Sequence, residues 1–240
     1  MQIDKDAVRE ILLVAKRLDE KQLLNAVEGN ISIKRGGLIY VTPSAKNKAF
    51  LTEEMIAVTD LEGNQIGGTL KATSELRLHV LTYQMWEDIG GIVHAHPSYL
   101  TAHAVCGKPV ETRAYPEMMF KYGRIEVAGY GRPGTDDICR ELGPILKHSN
   151  VALLENHGAI AVGPDAIEAM NNMEAAEAIA KVLTISKLVG TQKDLPEEEC
   201  RHLLSQHEEQ QVTFRQADDA VGSAAKIDSS HYCFTAAIKK

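Results

Sequence analysis

The chain has 240 residues, 44% hydrophobic and 25% charged, which is typical of a folded globular protein and excludes disordered, collagenous and membrane-embedded classes. With 26 Lys and Arg against 33 Asp and Glu, the net charge is −7, so no nucleic acid or anionic bilayer is expected as a partner. Four dispersed cysteines without a C-x-x-C pair, a charged start (Met-Gln-Ile-Asp-Lys-Asp) and no apolar run of roughly 18 residues predict reduced thiols and a cytoplasmic location, with no membrane partner.

The N-terminal half predicts one amphipathic helix, several short strands and a second helix. Apolar residues recur at helical spacing over residues 4–24. A helix is expected to begin near Ser74 and to end before Gly90, followed at once by a strand over 92–95. The earlier strands are short, β-branched and separated by turn residues: 31–34, 38–41 and 56–59.

The C-terminal half continues the alternation. The predicted helices cover 98–105, Thr135 to about Lys147, 165–188 and 197–211, and the predicted strands cover 125–128, 151–154 and 159–162. No repeat or linker interrupts this pattern, which favours a single three-layer αβα domain of the α/β class over residues 1–211. Residues 212–240 show little periodicity and are predicted to form a C-terminal tail or an intersubunit arm.

A His-x-His pair lies at the end of the predicted strand 92–95. In an extended chain, residues i and i+2 face the same side, so His94 and His96 can converge on one point. His157 follows another predicted strand, and Gly158 lets the backbone turn tightly beside it. Three protein ligands with a further position open to water or substrate are common in catalytic zinc sites.

Three separately hydrogen-bonded histidines are the alternative, and the His-x-His spacing alone does not decide between the two. The other histidines show no comparable arrangement and are expected to be solvated or on helix surfaces: His79, His103, His148, His202, His207 and His231.

Two polar patches accompany the histidines. Glu75 begins a predicted helix, where a first-turn carboxylate favoured by the helix dipole is the simpler explanation. Gly29 and Asn30 precede one strand, and Thr42 and Ser44 follow the next. Such groups can present hydroxyls and backbone N–H donors to an oxyanion, or serve only as turn residues.

Taken in order, five motifs resemble the class II aldolase/adducin family. The resemblance covers roughly residues 5–190 and is strongest to the bacterial sugar-phosphate members, such as the aldolases of L-fuculose 1-phosphate. It implies a central mixed β-sheet with helices on both faces, and a homotetramer with active sites at subunit interfaces. The motifs are Glu28-Gly29-Asn30-Ile31-Ser32, Tyr40-Val41-Thr42-Pro43-Ser44, Thr73-Ser74-Glu75, Val93-His94-Ala95-His96-Pro97 and Glu155-Asn156-His157-Gly158.

The resemblance also implies roles for individual residues. One zinc ion per subunit would lie on His94, His96 and His157, with Glu75 coordinating the metal before substrate binds and then acting as acid or base. Tyr115 is a candidate to protonate or orient the aldehyde oxygen, and a buried, hydrogen-bonded aromatic is the alternative. The residues implied to hold the substrate phosphate are Gly29, Asn30, Thr42, Ser44, Thr73 and Ser74.

The implied reaction is reversible cleavage of a (deoxy)ketose 1-phosphate, such as L-fuculose 1-phosphate, into dihydroxyacetone phosphate and a small aldehyde. A metal stabilises the resulting enediolate as a Lewis acid, and a carboxylate with a pKa raised in a partly dry pocket can move the proton at carbon. The alternatives within the family are a sugar-acid phosphate decarboxylase, a methylthioribulose-phosphate dehydratase and a 4-epimerase. Glu75 argues against the epimerases, which carry aspartate there, and the three histidines argue against a non-catalytic adducin-like interaction module.

Four positions depart from the pattern of the sugar-phosphate aldolases. Val27 and Glu28 stand where the family usually has threonine and serine, and Glu28 would repel a phosphate dianion unless it points away or is paired. Ala45 stands where the family usually has glycine, and Thr73 where it has proline or serine. Phosphate recognition is therefore where this chain is expected to differ most.

Overall fold

A computed structural model of the chain describes residues 3–214. Its helices are α1 Lys5–Glu20, α2 Leu76–Met85, α3 Ser98–Val105, α4 Pro116–Tyr122, α5 Leu142–Leu146, α6 Ala166–Val189 and α7 Glu197–Phe214. Its strands are β1 Asn30–Arg35, β2 Leu38–Val41, β3 Ala57–Thr59, β4 Gln65–Gly67, β5 Gly91–Ala95, β6 Val127–Ala128, β7 Val151–Leu154 and β8 Gly158–Gly163. Short 3-10 helices occupy Lys48–Phe50, Glu53–Met55 and Asp136–Cys139.

The eight strands form one sheet in the order β4-β3-β2-β1-β5-β8-β7-β6. Neighbouring strands are antiparallel except for β6 and β7, which are parallel, so the sheet is mixed, as predicted. At its centre β5 lies between β1 and β8, with Asn30 opposite His94 on one side and Ile160 opposite His94 on the other. This register places residues from distant parts of the sequence side by side.

Both faces of the sheet are buried, which confirms the three-layer architecture. Strand β5 shows the alternation: Val93 and Ala95 belong to the hydrophobic cluster that includes α1, α3 and α6, whereas Ile92 belongs to the cluster that includes α2 and α5. Because side chains alternate along a strand, His94 shares the face of Ile92 and points toward the layer that contains α2. Helix α2 begins beside this histidine.

The first helix illustrates how the local sequence specifies its element. Asp4 caps α1, its carboxylate accepting from the backbone N–H groups of Asp6 and Ala7, a contact worth about 1 kcal/mol. One face is buried against the sheet, through Ala7, Val8, Ile11, Val14, Ala15 and Leu18. Capping and apolar spacing thus agree with the predicted helix.

One predicted helix is wrong. The segment expected as a continuous helix from Thr135 to Lys147 divides into the 3-10 helix Asp136–Cys139 and the short α5. Pro144 explains the break, since it has no N–H to donate to the carbonyl of Arg140 and its ring would clash there. The structure also contains β4 and α4, which were not predicted.

At the C-terminal end α7 continues to Phe214, and the remainder of the predicted tail, 215–240, lies outside the described residues. No helix within residues 3–214 combines the length and apolar character needed to cross a bilayer.

Candidate active site

The three predicted histidines come together. His94 lies in β5, His96 directly follows that strand, and His157 lies in the turn before β8. One ring nitrogen from each lies within 4.8 Å of the others, and the ring centroids are 4.7–4.9 Å apart. Their side chains therefore surround one point.

The pairing of β5 with β8 fixes this cluster. His94 Nδ1–H donates to the carbonyl of Ala159 (2.9 Å), which leaves its Nε2 free to bind a metal. Gly158 makes room for His96, because a Cβ at Gly158 would lie 2.5 Å from His96 Cδ2 and 2.6 Å from the carbonyl oxygen of Ala95. The glycine that follows His157 is thus required by close packing.

Glu75 completes the cluster from the start of α2. Its Oε2 lies 3.3 Å from His94 Nε2, its Oε1 lies 3.2 Å from His157 Nε2, and Asn30 Nδ2–H donates to Oε2 at 2.7 Å. Glu75 Oε1 and His157 Nδ1 are buried and have no hydrogen-bond partner among the described residues. Three imidazoles and a carboxylate with an unpartnered buried oxygen fit the donor set of a divalent metal such as zinc.

Burial controls the charge of these groups. Loss of solvation, reinforced by repulsion from His94, lowers the pKa of His157 to about 4, so His157 is neutral and able to bind a metal at pH 7. Burial alone would raise the pKa of Glu75, but the facing His94 and His157 lower it below its ordinary value. The expectation of a raised pKa is therefore wrong for this set of residues, because it ignored the histidines.

The unusual Glu28 is paired. Its Oε2 accepts from His96 Nδ1–H (3.2 Å) and from Asn25 Nδ2–H (3.2 Å), although half of its side chain is exposed. The bonds from Asn25 and His96 outweigh burial and lower the pKa of the Glu28 carboxyl. Because a carboxylate only accepts, His96 carries its proton on Nδ1 and presents Nε2 to the cluster, 3.1 Å from His94 Nε2. Glu28 thus orients a histidine.

A cavity of about 140 Å³ adjoins the histidines. Its lining includes Glu75, His96 and most of the residues predicted to bind phosphate: Gly29, Asn30, Ser44, Thr73 and Ser74. Thr42 is not part of the lining; it is fully buried, and its hydroxyl accepts from the N–H of Ile31 (3.1 Å). Tyr115 is not part of the lining either; it precedes α4 and packs against the hydrophobic cluster that includes α1 and α6.

Lys48 is a lining residue that the sequence did not reveal. It begins the 3-10 helix Lys48–Phe50, is only 4% exposed, and donates from Nζ to the carbonyl of Val27 (2.5 Å). Burial lowers the pKa of Lys48 to about 8. A lysine in the polar run Lys46-Asn47-Lys48 is ordinarily a surface residue, and its nearness to Ser44 is the only sequence signal.

The structure also corrects the predicted location of His79. Expected on a helix surface, it is fully buried, and burial lowers its pKa to about 3, so the ring is neutral. His79 Nε2–H donates to Asn30 Oδ1 (2.5 Å), while Nδ1 accepts from the hydroxyl of Ser32 (2.6 Å), itself 2.8 Å from Tyr83 OH. This chain of bonds fixes the Asn30 amide that holds Glu75. His207 is likewise buried, against the carbonyl of Phe120.

Comparison with known proteins gives a consistent match. A family described as "Class II Aldolase and Adducin N-terminal domain" matches residues 9–184. An L-fuculose phosphate aldolase of Methanococcus maripaludis is 32% identical over 173 residues, covering 72% of this chain and 93% of the relative. A 3-oxo-tetronate 4-phosphate decarboxylase of Haemophilus influenzae is 32% identical over 159 residues, 64% of this chain and 75% of the relative. The solved structure of an L-fuculose 1-phosphate aldolase superposes with a TM-score of 0.77 at 28% identity, covering 86% of this chain and 98% of that one.

Proposed function

Because the chain belongs to the class II aldolase and adducin N-terminal domain family, we propose that it is a zinc-dependent aldolase. Its substrate would be a (deoxy)ketose 1-phosphate such as L-fuculose 1-phosphate, cleaved reversibly to dihydroxyacetone phosphate and a small aldehyde. Membership of the family together with the L-fuculose phosphate aldolase relatives supports lyase activity, and the cluster of three histidines fits the metal dependence of class II aldolases. The metal and the substrate are the proposed parts.

One observation carries this proposal: the histidine cluster with Glu75 opens directly onto a cavity lined by hydroxyl groups. Metal ligands and the hydroxyls of Ser44, Thr73 and Ser74 around one cavity suit a substrate with a carbonyl at one end and a phosphate at the other. His94, His96, His157 and Glu75 would hold the zinc.

A bound divalent metal supplies Lewis-acid stabilisation of charge that develops on substrate oxygens. The rest of the chemistry belongs to the chain. Glu75 is ionised at neutral pH, so its carboxylate can accept the proton from C3 of dihydroxyacetone phosphate and return it. Asn30 donates to Glu75 Oε2 and thereby holds the carboxylate in place. Partial burial of Glu75, 13% exposed, limits competition from water.

Phosphate binding is proposed for Gly29, Asn30, Ser44, Thr73 and Ser74, all of which line the cavity. Thr42 is also proposed, although its hydroxyl already accepts a backbone bond and retains only its own O–H for a ligand. Tyr115 does not line the cavity of its own subunit, so its proposed role at the aldehyde oxygen depends on assembly of the enzyme.

The test is NMR-detected exchange of the C3 protons of dihydroxyacetone phosphate with D₂O. Metal-loaded protein should catalyse exchange and a chelated sample should not, because proton removal is the first half of the aldol reaction and does not depend on the aldehyde. A fully metallated protein that catalyses no exchange would refute the aldolase assignment.

The second candidate is a sugar-acid phosphate decarboxylase, favoured by the likeness to the Haemophilus influenzae relative. Glu75 and the histidines fit both reactions, since each passes through a similar enediolate. Carbon dioxide release from 3-oxo-tetronate 4-phosphate, in a protein inactive on ketose 1-phosphates, would select the decarboxylase.

We also propose a cytoplasmic homotetramer in which residues 1–211 form the domain and 212–240 a tail or intersubunit arm. The free thiols Cys106, Cys139 and Cys200 support the location. Four large apolar side chains on the last turns of α6 are 40–86% exposed and support assembly: Val182, Ile185, Leu188 and Val189. A monomeric mass by light scattering would disprove the tetramer.

A further inference from the structure

The cavity contains a cation whose charge is not paired within the described chain. Lys48 is the only Lys or Arg among the residues that line the cavity in the described structure. Its Nζ donates to the carbonyl of Val27, and no carboxylate of the described residues lies within ion-pair distance of it. A buried ammonium with one neutral acceptor is costly, which is the reason its pKa falls. Such a group gains more than an exposed lysine from an incoming anion.

The two acidic residues of the cavity form hydrogen bonds with other groups, and their charges act on Lys48 only through space, raising its pKa without an ion pair and partly offsetting burial. Glu28 accepts from His96 and Asn25, and Glu75 accepts from Asn30 beside the histidines. Lys48 lines the same cavity as the hydroxyls of Ser44 and Thr73.

We propose that Lys48 is the phosphate-recognising cation of this enzyme and determines its preference for phosphorylated over unphosphorylated substrates. Lys48 has three N–H donors, one of which is used by Val27, so two remain for phosphate oxygens. The Ser44, Thr73 and Ser74 hydroxyls complete a set of donors for a dianion. This role rests on the proposed function, since it assigns the phosphate end of the same substrate.

The hydrogen bonds of Glu28 also explain how a carboxylate is tolerated where the sugar-phosphate aldolases have a small hydroxyl residue. A carboxylate beside a phosphate site would weaken binding if it were free, but Glu28 is held by His96 and Asn25. Lys48 then supplies a compensating positive charge within the same cavity. Recognition therefore depends on a charged side chain in addition to hydroxyls and backbone N–H groups.

The first test measures binding of inorganic phosphate to the metal-loaded protein by calorimetry. Lys48→Met should bind phosphate about 10–100-fold more weakly, because charge-assisted hydrogen bonds are lost, whereas Lys48→Arg should retain most of the affinity. Lys46→Met, an exposed lysine two residues away, is the matched control and should bind as the wild type does. Equal affinity of Lys48→Met and wild type would overturn the proposal. Lys48→Gln replaces Lys48→Met if the latter does not fold.

The second test compares C3 exchange of dihydroxyacetone phosphate and of dihydroxyacetone. Lys48→Met should raise the half-saturating concentration of the phosphorylated ketone far more than that of the unphosphorylated one. Lys48-dependent phosphate binding without any exchange in the wild type would disprove the aldolase function and keep the role of Lys48. Exchange by the wild type that Lys48→Met does not alter would keep the aldolase function and disprove the role of Lys48.

Discussion

Two sets of residues at the cavity, the histidine end and the hydroxyl end, are built by different means. At the histidine end, formed by His94, His96, His157 and Glu75, the pairing of β5 with β8 and the start of α2 place the side chains. Neighbouring groups bond His94, His96 and Glu75. At the hydroxyl end, formed by Ser44, Lys48, Thr73 and Ser74, loops and a short 3-10 helix provide the side chains, and Ser74 is exposed.

This difference indicates which set of residues is held in one fixed geometry. Strand register moves a whole set of side chains together, so the histidine end cannot adjust to the loss of one member. Loop residues are more independent of one another, so the hydroxyl end should lose binding in steps. We therefore expect larger effects from changes at the histidine end.

The largest effect is expected from His96→Ala, which removes one of three metal-binding nitrogens. The purified protein should lose its stoichiometric metal, measured by elemental analysis after gel filtration, together with its activity. His202→Ala, an exposed histidine on α7, should keep both. One equivalent of metal in His96→Ala would mean that the cluster is not the metal site.

Glu75→Gln tests the proton-transfer role within the histidine end, because the substitution keeps the shape of the side chain and removes the basic carboxylate. We expect turnover to fall about 10²–10⁴-fold while the metal stays bound. Glu62→Gln, in an exposed turn, is the control. Normal exchange of dihydroxyacetone phosphate in Glu75→Gln would show that another group moves the proton.

Gly158→Ala tests the close packing of the histidine end directly. The added Cβ would meet His96 Cδ2 at 2.5 Å, so the free energy of unfolding should fall by about 1–3 kcal/mol and metal affinity should fall with it. Gly190→Ala, where nothing lies within 4 Å, should show neither change. Denaturant titration and chelator competition measure the two effects, and an unchanged metal affinity would indicate that the loop relaxes.

Glu28 lines the cavity and bonds His96, and its variants measure how much the histidine end depends on it. Glu28→Ala should weaken metal binding about 10–100-fold, as is typical for the loss of a hydrogen-bond partner of a metal-binding histidine. Glu28→Gln keeps an acceptor for His96 and should lose less. Equal metal affinities of wild type and Glu28→Ala in chelator competition would exclude a role in orienting His96.

The smallest effect is expected at the hydroxyl end, from Ala45→Gly. Ala45 has φ +53°, a left-handed conformation that costs about 1–2 kcal/mol for a residue with a Cβ. Glycine removes this cost but adds about 0.5–1 kcal/mol of unfolded-state entropy, so a net gain of roughly 0.5 kcal/mol is expected. Urea unfolding measures it, with Ala49→Gly as a control that should be destabilised; a loss in Ala45→Gly would contradict the strain.

The sequence could predict the histidine end because its signals are local and periodic. The i, i+2 spacing of His94 and His96 and the strand before His157 suffice to suggest convergence, and the sheet brings the three together. Most strands and the long helix α6 were predicted for the same reason, since apolar periodicity reports burial. The prediction of a continuous helix from Thr135 was wrong because it gave more weight to apolar periodicity than to a single proline, Pro144.

The remainder depends on contacts between distant loops, which no local pattern encodes. Buried Lys48 bonds Val27, and buried His79 bonds Ser32 and Asn30, partners that are all remote in sequence. The same holds for Thr42, whose hydroxyl is used by Ile31. Residue type predicts what such groups can do, and only the fold decides which partner they have.

The long-range assembly of the centre of the sheet has a consequence for folding. The bond between His94 and Ala159 joins residues 65 positions apart, and the bond between Asn30 and Glu75 joins residues 45 apart. Contacts of such high contact order close slowly and late. The complete set of metal ligands therefore exists only after the sheet has closed. Metal should then bind the native chain far more tightly than the unfolded one, adding about 2.7 kcal/mol of stability at 100 times its dissociation constant.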